Sequence, residues 1–113
     1  MVEYNCVVQE KHLSEAIRPD LVAGLKRVTA QILSVSDDTV SVRFTQIPHG
    51  AGYRGGKLST TSLVRGTIPP GCEQTVRENL LRSICSMWAG IAGCDEDELV
   101  VSAVDSDYVS KVY

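Results

Sequence analysis

The chain has 113 residues, which leaves room for one compact domain and excludes a large multidomain enzyme. Eleven Lys and Arg against 14 Asp and Glu give a net charge of −3 without long runs, so no basic field exists to hold a nucleic acid. With 43% hydrophobic and 22% charged residues the composition is that of an ordinary globular domain, and no apolar stretch approaches the roughly 20 residues of a membrane span.

Val2 to Val8 is short, rich in β-branched and aromatic residues, and reads as a strand. His12 falls in the loop after it, as an exposed polar residue. Ser14 is a candidate N-cap for a helix running to Leu33, with Ile17, Leu21, Val22, Leu25, Val28 and Ile32 as its apolar stripe. Pro19 lacks a donor N–H in the second turn and should kink this helix or delay its start. Asp37-Asp38 is a turn. Thr39 to Gln46 alternates Val40, Val42 and Phe44 against Ser41, Arg43 and Thr45, as a half-buried strand does.

Pro48 to Lys57 follows, and Gly50-Ala51-Gly52-Tyr53-Arg54-Gly55 within it matches G-x-G-x-x-G. The dinucleotide fingerprint needs a helix after its glycine turn, whereas here Lys57 and Leu58 lead into the strand-like Ser59 to Ile68. The segment therefore reads as a loop, His49 as an exposed polar residue, and Arg54 and Lys57 as its charges. A strand from about Thr60 to Ile68 is followed by a helix from about Glu73 to Ala92, closed by Gly93, and by a strand from Leu99 to Val104. Trp88 reads as core. Ser106 to Tyr113 suffices for one short strand or turn at a subunit boundary.

The second helix repeats the first at a fixed offset. Val76, Leu80, Leu81, Ile84, Met87 and Ile91 each stand 59 residues after a stripe residue of the first half. The offset also relates Arg18 to Arg77, Asp37-Asp38 to Glu96-Asp97, and Val40 and Val42 to Leu99 and Val101. The halves, about 1–48 and 58–113, each read strand, helix, strand within a single domain. Two β-α-β units with right-handed crossovers form an α/β fold: a four-stranded mixed sheet with two helices on one face. The other face is bare, and its simplest cover is another copy of the chain, so the expectation is a homo-oligomer.

Cys6, Cys72, Cys85 and Cys94 form no C-x-x-C pair and no zinc pattern with the two histidines. They read as structural thiols in a reducing cytoplasm, and no metal or cofactor is expected. Arg43 and Arg65 sit inside expected strands, where an arginine needs solvent or a partner. Either they pair with acidic residues at a subunit boundary, or one faces a pocket for a small anionic substrate.

Val8-Gln9-Glu10-Lys11-His12-Leu13-Ser14, Val42-Arg43-Phe44-Thr45-Gln46-Ile47-Pro48, Val64-Arg65-Gly66-Thr67-Ile68-Pro69-Pro70-Gly71 and Val101-Ser102-Ala103-Val104-Asp105, set in a tandem β-α-β, resemble the tautomerase superfamily. Within it the pattern is nearest the cis-3-chloroacrylic acid dehalogenase group. The resemblance implies a trimer in which an N-terminal proline, exposed by removal of the initiator methionine, carries a proton, while paired arginines at the start of the second helix hold a substrate carboxylate. This sequence departs from that pattern at three places. Val2 stands for the proline, Pro69-Pro70-Gly71-Cys72 occupies the stretch of the arginine pair, and Thr29 takes the place of a first-helix histidine.

Two expectations follow. In one, the fold and pocket persist as a binding or structural module and the usual activity is weak or lost. In the other, the α-amine of Met1 or Val2 carries the proton, and Arg65, Arg54 or Arg43 orients a small keto-enol acid.

Overall fold

The computed structural model describes residues 1–108. In chain order the elements are β1 (Val2–Gln9), α1 (Arg18–Leu33), β2 (Val40–Ile47), the short strands β3 (Tyr53–Arg54) and β4 (Lys57–Leu58), β5 (Ser62–Ile68), α2 (Gln74–Ala92) and β6 (Leu99–Asp105). The long strands form one sheet in the order β2-β1-β5-β6. β1 runs parallel to β2 and β5 parallel to β6, and the two pairs meet antiparallel along β1 and β5. The tandem β-α-β with both helices on one face of a mixed sheet is thus the observed architecture.

Strand alternation decides which face is covered. Val2, Tyr4, Cys6 and Val8 of β1 and Val64 and Ile68 of β5 point to the helices and are buried with Leu21, Leu25, Leu80, Ile84 and Trp88. Their strand neighbours Glu3, Arg43, Leu63, Arg65, Val100 and Val104 lie on the open face and are exposed.

The offset of 59 recurs in detail. Ser34 and Gly93 end the two helices in the left-handed region, at φ 56° and 69°. Asp37–Thr39 and Glu96–Glu98 are matching 3₁₀ turns, capped by the side chains of Ser36 and Asp95. Arg18 Nη2 donates to Gln46 Oε1 at 2.7 Å, and Arg77 Nη2 donates to Asp105 Oδ1 at 2.9 Å. Each arginine pins the start of its helix to the end of the following strand.

Three expectations need correction. The first helix starts at Arg18 and not Ser14, because Pro19 fits only the first turn; Ser14 caps a separate 3₁₀ turn, Glu15–Ile17, by accepting the Ala16 N–H at 3.2 Å. The Pro48 to Lys57 segment is not a plain loop. Tyr53 pairs with Leu58 and Arg54 with Lys57 around Gly55 and Gly56, whose φ of 59° and 78° suit a two-residue hairpin turn. The third strand starts at Ser62, since the Ser59 and Thr61 hydroxyls are engaged by Glu98, at 2.6 and 3.1 Å. Buried Gln9 anchors the hairpin: its Nε2 donates to the Ser59 carbonyl at 2.6 Å and its Oε1 accepts the Gly50 N–H at 3.2 Å. Ser106 and Asp107 form a turn, and residues 109–113 of the expected terminal strand or turn lie outside the described residues.

Candidate functional site

The N-terminal end of β1 opens beside a groove. Val2 is in register with Val40 and Glu3 with Thr67, so the chain start lies next to the residues that leave β5 and enter β2. The end of α1 and the β5-to-α2 connection enclose about 380 Å³ there, lined by Leu33, Val35, Ile68, Pro69, Cys72 and Val76 among others. Among the described residues Glu73 is the only charged one in its lining, which holds no lysine or arginine. Met1 is 80% exposed, while the Val2 side chain is buried on the helix face.

Arg43 and Arg65 stand elsewhere, and together. Asn5 is paired with Arg43 on one side and with Arg65 on the other, which places both arginines in one row across β2, β1 and β5 on the open face. They line a concavity of about 540 Å³ with Glu3, Asn5, Ser41 and Thr67. Neither guanidinium has a carboxylate within 4.0 Å among the described residues; the ion pairs there are Arg54 with Glu98 at 3.2 Å and Arg77 with Asp105 at 2.9 Å. Three strand residues, about 10 Å, separate this row from Val2.

Arg54 lies at the opposite end of β1 from Met1, on the hairpin. Its Nη2 donates to Glu98 Oε1, whose other oxygen accepts from Ser59 and Thr61. The Ser59 hydroxyl first, then Thr61 and Arg54, hold the Glu98 carboxyl below the ordinary glutamate range. This cluster fastens the hairpin to the turn before β6.

Thr29 does not face the groove. It is fully buried, and its Oγ1 is 2.7 Å from the Tyr4 hydroxyl. Burial raises the Tyr4 pKa and pushes the Cys6 thiol up to about 12, so both stay protonated as core groups. Cys85 and Cys94 are also raised by burial, and Cys72 edges the groove with its thiol 3.5 Å from the Glu73 carbonyl. Among the described residues no cluster of His, Cys, Asp and Glu is arranged to hold a metal ion. No helix among them is long and apolar enough to cross a membrane.

Sequence reasoning named the two row arginines but not Glu3, Asn5 or Thr67 beside them. Alternation within β1 was available as a signal for Glu3 and Asn5 sharing a face; their pairing with β2 and β5 was not.

No protein-family model and no curated protein sequence matches the chain. Solved structures do. Native Ps01740 is 25% identical and superposes with a TM-score of 0.86 over 96% of this chain and 99% of that one. N1, a member of the cis-3-chloroacrylic acid dehalogenase family, is 17% identical with a TM-score of 0.86, covering 91% and 73% of the two chains. A fused 4-OT wild-type symmetric trimer is 14% identical with a TM-score of 0.84, covering 91% and 84%.

Proposed function

From the tautomerase-superfamily fold that this chain carries, we propose a self-associating protein that binds a small carboxylate and in which the superfamily's usual proton-transfer activity is weak or lost. The carrying observation is the groove at the start of β1, whose charged lining among the described residues is a single carboxylate, Glu73. An anionic keto-enol acid placed there would meet neither a secondary amine nor a guanidinium, and both are what the resemblance requires. Arg43 and Arg65 are the carboxylate-binding residues of this reading, because they line one concavity and have no carboxylate partner among the described residues. Arg54 is a weaker candidate, being engaged by Glu98. The α-amine of Met1, or of Val2 after trimming, is the proton carrier of this reading.

A homotrimer is the assembly this reading favours, since a fused 4-OT of the same fold is a symmetric trimer and the sheet here has an open face. Four free thiols fit a cytoplasmic setting.

The test is the ketonisation of phenylenolpyruvate by protein whose N-terminus has been defined by mass spectrometry. A positioned general base contributes about 10²- to 10⁴-fold, so the parent should run at least about 100-fold below a Val2→Pro variant with a free proline terminus. A parent that turns over phenylenolpyruvate measurably and as fast as Val2→Pro would overturn the proposal.

A further inference from the structure

The concavity that holds Arg43 and Arg65 also holds a carboxylate, Glu3. Glu3 is paired with Ser41 on one side and Thr67 on the other, so a row of one carboxylate between two hydroxyls lies directly beside the row of one amide between two guanidiniums. The rows are about 7 Å apart along β1, and the two arginine Cα atoms are two strand spacings, about 10 Å, apart. Side chains as long as arginine can converge over Asn5 from that separation. The Asn5 Oδ1 accepts from the Thr45 hydroxyl at 3.0 Å, and its amide NH₂ has no acceptor among the described residues.

Glu3 does not neutralise its neighbours. It lies within 4.0 Å of no cationic nitrogen among the described residues, and neither row arginine has a carboxylate so near. Three formal charges therefore share one concavity, two positive and one negative, set out in a fixed order by strand register. The complement is a small molecule with two carboxylates and one ammonium. The rows continue onto β6, where Ser102 pairs with Arg65 and Val104 with Thr67, and Leu63 and Val100 are the apolar pair next to them on the same face.

We propose that this concavity binds an acidic amino acid, its carboxylates on Arg43 and Arg65, its ammonium on Glu3, and the Ser41 and Thr67 hydroxyls and Asn5 amide completing the hydrogen bonds. The proposal rests on reading Arg43 and Arg65 as carboxylate-binding residues and adds the ammonium subsite.

Isothermal titration with L-glutamate and with glutarate, which has the same two carboxylates and no amine, separates the two parts. L-glutamate should bind at least about tenfold tighter than glutarate, as one charge-assisted contact allows. Glu3→Gln should bring L-glutamate down to the glutarate value and leave glutarate unchanged. Arg43→Gln and Arg65→Gln should each weaken both ligands about tenfold or more, with circular dichroism confirming the fold and light scattering the assembly. Equal affinities that Glu3→Gln does not alter would overturn the amino-acid assignment while leaving carboxylate binding in place. Failure of both probes to bind at millimolar concentration would overturn both, and dissociation of the arginine variants would then assign the row to a contact between copies.

Discussion

The Tyr4 hydroxyl and Thr29 Oγ1 share a hydrogen bond of 2.7 Å between β1 and α1, with both residues buried. Thr29 stands where the dehalogenase-like pattern expects a histidine, but here the position belongs to the core; α1 reaches the N-terminal groove through Ile32 and Leu33 instead. Thr29→Val would leave the Tyr4 hydroxyl buried without a partner, costing about 1–3 kcal/mol. Tyr4→Phe combined with Thr29→Val should cost less than the two single changes added together, because no orphan group remains. Thr29→His must fit an imidazole into a filled site, so it should lose about 1–3 kcal/mol in urea unfolding and leave phenylenolpyruvate turnover unchanged. A gain in turnover would mean that the side chain reaches the groove after all.

Both helices and the four long strands are legible from residues because their periodicity is local. Val40, Val42 and Phe44 alternate within one strand, and the stripe from Leu21 to Ile32 repeats within one helix. The start of α1 is misplaced because Ser14 is a good cap for any turn, and only the position of Pro19 decides that the helix waits until Arg18. The Gly55-Gly56 pair is a two-residue hairpin signal, hidden by flanking strands of two residues each. The candidate site is less legible for a different reason. Arg43 and Arg65 can each be picked out as unusual, but their meeting across Asn5 depends on two registers, one parallel and one antiparallel, that no local pattern encodes. The groove departures, Val2 and the Pro69 to Cys72 stretch, are visible in sequence only against the resemblance.

Glu98 makes the hairpin anchor sensitive to acid. Its pKa is lowered in the folded chain, by the Ser59 hydroxyl first and then by Thr61 and Arg54. A carboxyl with a depressed folded value contributes stability above its unfolded pKa, about 4.3, and that contribution is lost as pH falls through the folded value. Hydrogen exchange at residues of β3 and β4 should therefore accelerate as the pH is lowered from 7 to about 3, after correction for intrinsic exchange rates. Glu98→Gln should exchange faster at neutral pH and show no such step. A parent and a variant with the same pH profile would remove Glu98 from the anchor.

Among the described residues the groove lacks a cation, and adding one is a direct check on the proposed weakness of the activity. Cys72 edges the groove at the start of α2, so Cys72→Arg puts a guanidinium on its rim. In a Val2→Pro background, with the proline terminus verified by mass spectrometry, Cys72→Arg should raise kcat/KM for phenylenolpyruvate about tenfold or more, the worth of one charge-assisted contact made in the transition state. Cys72→Ala in the same background should change little, since it adds no donor. If the two variants behave alike, carboxylate binding is not what limits the reaction at this groove.

The remaining question is what covers the open face. Leu63 and Val100 are cross-strand partners on it, 36% and 50% exposed, and Val104 beside them is 43% exposed. An apolar pair directly opposite on neighbouring strands is stabilising once covered and unfavourable in water, where full burial of each side chain is worth about 1.5–3 kcal/mol. Val100→Lys puts a charge into the middle of this patch without touching the helix-covered core. Sedimentation velocity should show the parent as an oligomer and Val100→Lys as a monomer, or at least an assembly weakened about tenfold or more per lost contact. Glu78→Lys, on the exposed side of α2, should leave the assembly intact and serves as the charge control. If Val100→Lys sediments as the parent does at every concentration, the copies meet through another surface, and the apolar side of this face must be explained by a different partner.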